Sequence, residues 1–137
     1  MKSDPKIAAM SKVPLFARCS KRELETIASL ADEVDLPAGK VLTAEGDRGR
    51  EFFVLLEGSA GVRSDGRELA SLGEGDFFGE IALVTKMPRT ASVTATTPVR
   101  VLVITERDFG ALIKHSDEVG RAVAEALAER IAPELPV

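Results

Sequence analysis

Gly79, Glu80, Arg89 and Thr90 are the residues of this chain whose types and spacing suit chemistry better than packing. They lie in the stretch from Phe78 to Val93, which reads Phe-Gly-Glu-Ile-Ala-Leu-Val-Thr-Lys-Met-Pro-Arg-Thr-Ala-Ser-Val. Gly79 has no Cβ, so the main chain there can approach a ligand closely. If Glu80 to Leu83 make one short helical turn, the N–H groups of Ile81 and Ala82 have no helical acceptor and point outward, a geometry that binds phosphate. Arg89 adds a guanidinium fork that matches two phosphate oxygens. Pro88 fixes the backbone just before it, and Thr90 places a hydroxyl beside it. A carboxylate would repel a phosphate, so Glu80 is expected to accept a hydrogen bond from a neutral donor while balancing Arg89. A ribose hydroxyl next to a cyclised phosphate is such a donor, and the stretch predicts a nucleotide site.

Short elements must hold this stretch in place. Ile7, Met10, Val13, Leu15 and Phe16 form an apolar N-terminal piece broken by Pro14, and Ser20 with Glu23 reads as a capping box for a helix from about Lys21 to Ala31. From Glu33 the apolar period drops to two, and strands are expected around Val34–Leu36, Lys40–Thr43, Phe52–Glu57, Ser59–Arg63, Arg67–Ser71, Ala91–Ala95 and Val99–Ile104. Glycine or proline turns separate them, including the glycine-rich loop Glu45–Arg50 and a two-residue hairpin turn at Asp65-Gly66. Such a run of short strands implies a mainly β chain, an antiparallel β-roll of the jelly-roll type with about eight strands, rather than βαβ units. Two helices should follow. Thr105 is the expected cap of the first, which buries Phe109, Leu112 and Ile113. Asp117 is the expected cap of the second, with an apolar stripe at Val119, Val123, Leu127 and Ile131 that Pro133 and Pro136 end. That stripe could face the roll, a second protomer or the base of a bound nucleotide.

With 137 residues, 45% hydrophobic and 29% charged, the chain is expected to be a single domain over 1–137: a helical part over 1–32, the roll over 33–104 and C-terminal helices over 105–132. A net charge of −4, with no basic block longer than Lys21-Arg22, argues against nucleic acid as a partner. The longest apolar runs, Phe52–Leu56 and Val101–Ile104, are too short to cross a bilayer, so no membrane contact and a cytoplasmic location are expected. The single cysteine, Cys19, agrees with a reducing compartment and reads as a small core residue. One histidine and one cysteine leave no set of ligands for a His-clustered metal site. His115, Ser116 and Asp117 carry the residue types of a hydrolase triad, but neighbours on one turn cannot point at each other as the relay requires. No catalytic residue is assigned, and an enzyme is not expected. Phe52, Phe53, Phe77, Phe78 and Phe109 read as core.

Phe-Gly-Glu-Ile-Ala-Leu at 78–83 followed by Pro-Arg-Thr-Ala at 88–91 resembles, position for position, the phosphate-binding cassette of cyclic nucleotide-binding domains. These modules occur in cAMP-dependent kinase regulatory subunits, cyclic nucleotide-gated channels and bacterial catabolite activator proteins. The order of glycines at 39, 46, 58, 66 and 79 is also similar to that family's β-roll, and the resemblance covers roughly residues 13 to 132. It implies a regulatory sensor in which the cyclic phosphate lies on the N–H groups of Gly79, Ile81, Ala82 and Ala91 and on Arg89. Glu80 would take the ribose 2′-hydroxyl, and the base would reach toward Thr90, Val62 or Leu72 and the final helix, which would rearrange on binding. Arg130 matches a base-contacting arginine of channel-type members; it equally fits a solvated arginine favoured at a helix C-terminus by the macrodipole. Arg48 and Arg50 stand where the family's pocket has its far wall but are left out of the site. The ligand implied is cAMP, with cGMP open because a threonine after the arginine can contact a guanine amino group. No cofactor is implied beyond that ligand, and the partners are an effector protein in trans and a homodimer through the last helix. The other reading is a β-roll interaction or dimerisation module without nucleotide. A DNA-binding helix-turn-helix is not expected, since the two helices predicted after Thr90 consume that segment.

Overall fold

A computed structural model describes residues 5–131. Helix α1 (Pro5–Ser11) and a 3-10 turn at Pro14–Phe16 precede α2 (Lys21–Leu30). The expected capping box opens α2: Ser20 Oγ accepts from the Glu23 N–H at 3.1 Å, and the Ser20 N–H donates to Glu23 Oε1 at 3.0 Å. Eight strands follow: β1 (Asp32–Leu36), β2 (Val41–Thr43), β3 (Glu51–Glu57), β4 (Ala60–Ser64), β5 (Arg67–Leu72), β6 (Phe77–Phe78), β7 (Ser92–Ala95) and β8 (Val99–Thr105). A short helix α3 (Glu80–Thr85) interrupts them between β6 and β7, and α4 (Glu106–His115) and α5 (Asp117–Ile131) close the described chain.

All strand pairings are antiparallel, in two four-stranded sheets ordered β1-β8-β3-β6 and β2-β7-β4-β5. The β4–β5 turn has Asp65 at φ 55° and Gly66 at φ 76°, the double positive φ that matches the right-handed twist of a tight hairpin. This is the antiparallel roll that the strand spacing predicts.

The apolar run in β3 is explained by burial on both faces. Phe53 and Leu55 point between the sheets, where they meet Phe78, Val93, Ala95 and Val101. Phe52, Val54 and Leu56 point outward into a second core with Phe16, Leu24, Ile27, Phe109 and Val119. A strand with water on one side would alternate, and this one does not because the helices cover its other side. Cys19 is half-buried against that helical core, and burial pushes its thiol above the ordinary value.

At the C-terminal helices one expectation needs correction and one of the open alternatives, the roll, is borne out and widened. Thr105 caps α4 as predicted, accepting from the Asp108 N–H at 3.3 Å. Asp117 does not cap α5; Ser116 does, its hydroxyl accepting from the Val119 N–H at 3.3 Å. Ser116 has the extended backbone a cap requires, and Asp117 is already the first helical residue, where its charge suits the helix dipole. The stripe on α5 also finds a partner outside the three considered. Val119 and Val123 are buried with the N-terminal helices as well as with the outer face of the roll, and Leu127 packs at the edge of that cluster. The side chain of Ile131, and Pro133 and Pro136, lie outside the described residues. Among the described residues no helix is long and apolar enough to cross a membrane.

Candidate functional site

Gly79 joins β6 to α3 with φ at 99°, a conformation that side chains rarely adopt. A Cβ at this point would also stand 2.8 Å from the Glu51 carbonyl oxygen and 3.0 Å from Arg89 Nη1. The glycine therefore serves two needs at once, the turn and the close passage of an arginine. Glu80 is the first residue of α3, and no side chain caps the helix, so its first N–H groups, including those of Ile81 and Ala82, have no intrahelical acceptor.

Arg89 is only 8% exposed. Its Nη1 donates to the Gly79 carbonyl at 2.7 Å and its Nη2 to the Glu51 carbonyl at 2.6 Å. The backbone is held as firmly: the Arg89 N–H donates to the Asp47 carbonyl at 2.7 Å, and the Arg89 carbonyl accepts from Gly46 at 2.9 Å. Arg48 and Pro88 form an antiparallel bridge alongside. Gly49 completes this clamp, since a Cβ on it would lie 2.5 Å from Ala82 Cβ and 2.8 Å from Arg89 Cζ. Burial pulls the guanidinium below its ordinary value, against the opposing charges of Glu51 and Glu80.

Glu80 is 0% exposed. It balances Arg89 through space, as expected, but makes no hydrogen bond to it, because both terminal nitrogens of Arg89 are turned to carbonyls. Its partner is Arg130, which reaches over from α5. Arg130 Nη1 bonds both carboxylate oxygens, at 2.7 Å to Oε2, while Nη2 donates to the Phe77 carbonyl at 2.8 Å. The Arg130 guanidinium also lies over the Phe77 ring, 5.0 Å from its centre. A solvated helix-end arginine is thereby excluded, for the side chain is 35% exposed and tied down at both Nη atoms. Burial raises the Glu80 carboxyl above its ordinary value; Arg130 and, more weakly, Arg89 oppose the rise.

Gly79, Glu80, Ile81, Ala82, Arg89, Thr90, Ala91 and Arg130, the whole set expected from sequence, line one cavity of about 240 Å³. Val62 and Leu72 stand on its roll side, as expected. Thr43 and Leu69 also line it and were not anticipated. Thr43 Oγ1 donates to the Ala91 carbonyl at 3.3 Å, and Leu69 is 58% exposed. Arg48 is exposed and pairs with Glu106 at 3.9 Å, outside the cavity lining. His115 to Asp117 is the junction between α4 and α5, and no group of His, Cys, Asp or Glu able to hold a metal occurs among the described residues.

Comparison with known proteins agrees with this geometry. Residues 33–116 match the family model described as cyclic nucleotide-binding domain. The chain is 35% identical over 116 residues to the cAMP-dependent protein kinase regulatory subunit of Aspergillus niger, covering 83% of this chain and 28% of that protein. It is 34% identical over 122 residues to a cyclic nucleotide-gated potassium channel of Rhizobium etli, covering 88% of this chain and 34% of the channel. The chain thus spans only 28% and 34% of the length of these curated relatives. The crystal structure of Thermus thermophilus catabolite activator protein is similar with a TM-score of 0.78 at 29% identity, covering 88% of this chain and 59% of that one. The regulatory subunit of a cAMP-independent protein kinase A from Trypanosoma brucei reaches a TM-score of 0.81 at 22% identity, covering 90% of this chain and 46% of that one, a likeness of fold alone. Roll, cassette and matched sequence converge, and the chain belongs to the cyclic nucleotide-binding domain family.

Proposed function

We propose that this domain is a regulatory sensor that binds cAMP in the cavity between the cassette and the roll. The observation that carries the reading is the convergence of a clamped, buried Arg89, a fully buried Glu80 and an uncapped helix start on one cavity. The cyclic phosphate lies on Arg89 and on the N–H groups of Gly79, Ile81, Ala82 and Ala91. Arg89 has five N–H donors, and its two carbonyl bonds leave others for the ligand. Glu80 accepts the ribose 2′-hydroxyl, and the base lies along Val62 and Leu72 with Thr90 and Arg130 at its edges. The choice of cAMP follows the Aspergillus relative, whose name specifies cAMP, and cGMP is the competing ligand through Thr90.

The relatives are named as a kinase regulatory subunit, a cyclic nucleotide-gated channel and a catabolite activator protein, which supports a binding role. The signal is a change in the packing of α4 and α5, because α5 touches the site through Arg130. A ligand can shift such an equilibrium only by its differential affinity for the two packings. The effector is a protein acted on in trans, with a homodimer through α5 as a further assembly, in a single domain located in the cytoplasm. Calorimetry with cAMP and thermal unfolding in its presence test the reading. At one hundred times its Kd the ligand should add about 2.7 kcal/mol to stability. An unchanged melting temperature at millimolar cAMP and cGMP would leave the roll as an interaction module without nucleotide.

A further inference from the structure

The cassette rejoins the roll at β7, and just before that point side chains replace the backbone ladder. β4 pairs with β7 as far as Arg63 and Ser92. Beyond that pair, Ser64 Oγ donates to the Thr90 carbonyl at 2.7 Å and lies 3.1 Å from Glu45 Oε2, so its one proton is shared between two acceptors. Glu45 Oε1 accepts from the Asp65 N–H at 3.0 Å, and the Glu45 N–H donates to Ser92 Oγ at 2.9 Å. Glu45, in the loop between β2 and β3, thereby joins the tip of the β4–β5 hairpin to the end of the cassette. Around Thr90 the chain is fixed on both sides: Gly46 and Asp47 hold the Arg89 backbone, and the Ala91 carbonyl accepts from Thr43. Thr90 itself is held through its carbonyl by Ser64, while the residue is exposed at the cavity and its hydroxyl has no protein partner among the described residues. Thr43, the other hydroxyl of the lining, is engaged with Ala91, and Arg130 is engaged at both Nη atoms. Thr90 is therefore the polar side chain left for the edge of a base. A polar group selects between ligands that differ by one donor or acceptor only where its own position is held.

We propose, on the reading of this cavity as a nucleotide site, that Glu45 and Ser64 are positioning residues for base selectivity: they hold the Thr90 backbone against the β4–β5 hairpin, so that the Thr90 hydroxyl meets one purine edge and not the other. The groups assigned to phosphate and sugar stand apart from this cluster, because the side chains of Arg89 and Glu80 take their partners from Gly79, Glu51 and Arg130. Loss of the cluster should lower discrimination between bases and leave the cyclic ribose phosphate bound.

Ser64→Ala, Ser64→Thr and Glu45→Ala in the full chain test it by calorimetry with cAMP, cGMP and the 3′,5′-cyclic phosphate of purine riboside, whose base has neither an exocyclic amino group nor a carbonyl. The parent should separate cAMP from cGMP by about tenfold, the effect of one well-placed hydrogen bond. In Ser64→Ala that ratio should fall to within about threefold, in Glu45→Ala somewhat less far, and Ser64→Thr, which keeps the hydroxyl, should restore it. Affinity for the purine riboside cyclic phosphate should change by less than about twofold in every variant, which a merely loosened cassette would not allow. An unchanged ratio of cAMP to cGMP affinity in Ser64→Ala overturns the proposal. So does an equal loss for all the ligands, the mark of a structural role alone. A parent that binds cAMP and cGMP equally overturns it too, and leaves the sensor reading intact. A parent that binds none of the ligands removes the sensor reading itself, and the proposal with it.

Discussion

At the cassette wall of the cavity, Arg89 and Glu80 are buried and held by partners of known geometry, whereas the roll wall presents Val62, Leu69, Ala70 and Leu72 with no charged group among them. The first wall is built to orient charge: its groups are desolvated in advance and cannot relax away from a ligand. The second supplies apolar area, which is non-directional. On the proposed reading, a phosphate and a sugar hydroxyl would be recognised by position, and a base mainly by the space left for it.

Changes at the cassette wall should therefore outweigh changes at the roll wall. Arg89→Ala should have the largest effect, a loss of about two orders of magnitude or more in cAMP affinity by calorimetry, since charged hydrogen bonds contribute about 1.5 to 3 kcal/mol each. Parent-like binding by this variant would remove the phosphate assignment. Glu80→Gln should weaken cAMP by about ten- to one-hundred-fold while changing 2′-deoxy-cAMP little, and an equal loss for both would break the hydroxyl role. Gly49→Val should come next, with a loss of about tenfold and a folded spectrum, because its side chain has no room beside Arg89 and Ala82. On the roll wall, Leu69→Ala should cost less than about 1 kcal/mol in binding, as the side chain is already more than half exposed. A larger loss there would mean that the base is gripped, not merely accommodated.

The smallest effect concerns pH and stability without ligand. The Glu80 carboxyl is raised by burial, so its contribution is full below the ordinary carboxylate range and is lost as pH rises through the raised value. Asp35, held low by its bond to Arg100, acts in the opposite sense: its contribution is present at neutral pH and lost as pH falls through the lowered value. Glu80→Gln should accordingly gain in melting temperature relative to the parent as pH is raised from acid to neutral, by thermal unfolding at a series of pH values. A gap that stays constant with pH would mean that burial does not perturb Glu80.

Much of this molecule was legible in the residues, and for a common reason. The cassette lies within one short stretch, so its glycine turn, helix start and arginine are near in space because they are near in sequence. Apolar patterning and turn residues gave seven of the eight strands, the short β6 being missed, and the capping box at Ser20 and the hairpin at Asp65-Gly66 are local geometries that few other residues would adopt. The contacts that only tertiary structure decided join distant segments. Arg130 meets Glu80 across fifty positions, Gly49 leaves room for Arg89 from another loop, and Val119 finds the N-terminal helices. Each depends on the angle and depth at which one element packs on another, which residue period alone does not specify. Local sequence determined which groups could bind an anion and a hydroxyl; packing decided that Glu80 would also be the anchor of α5.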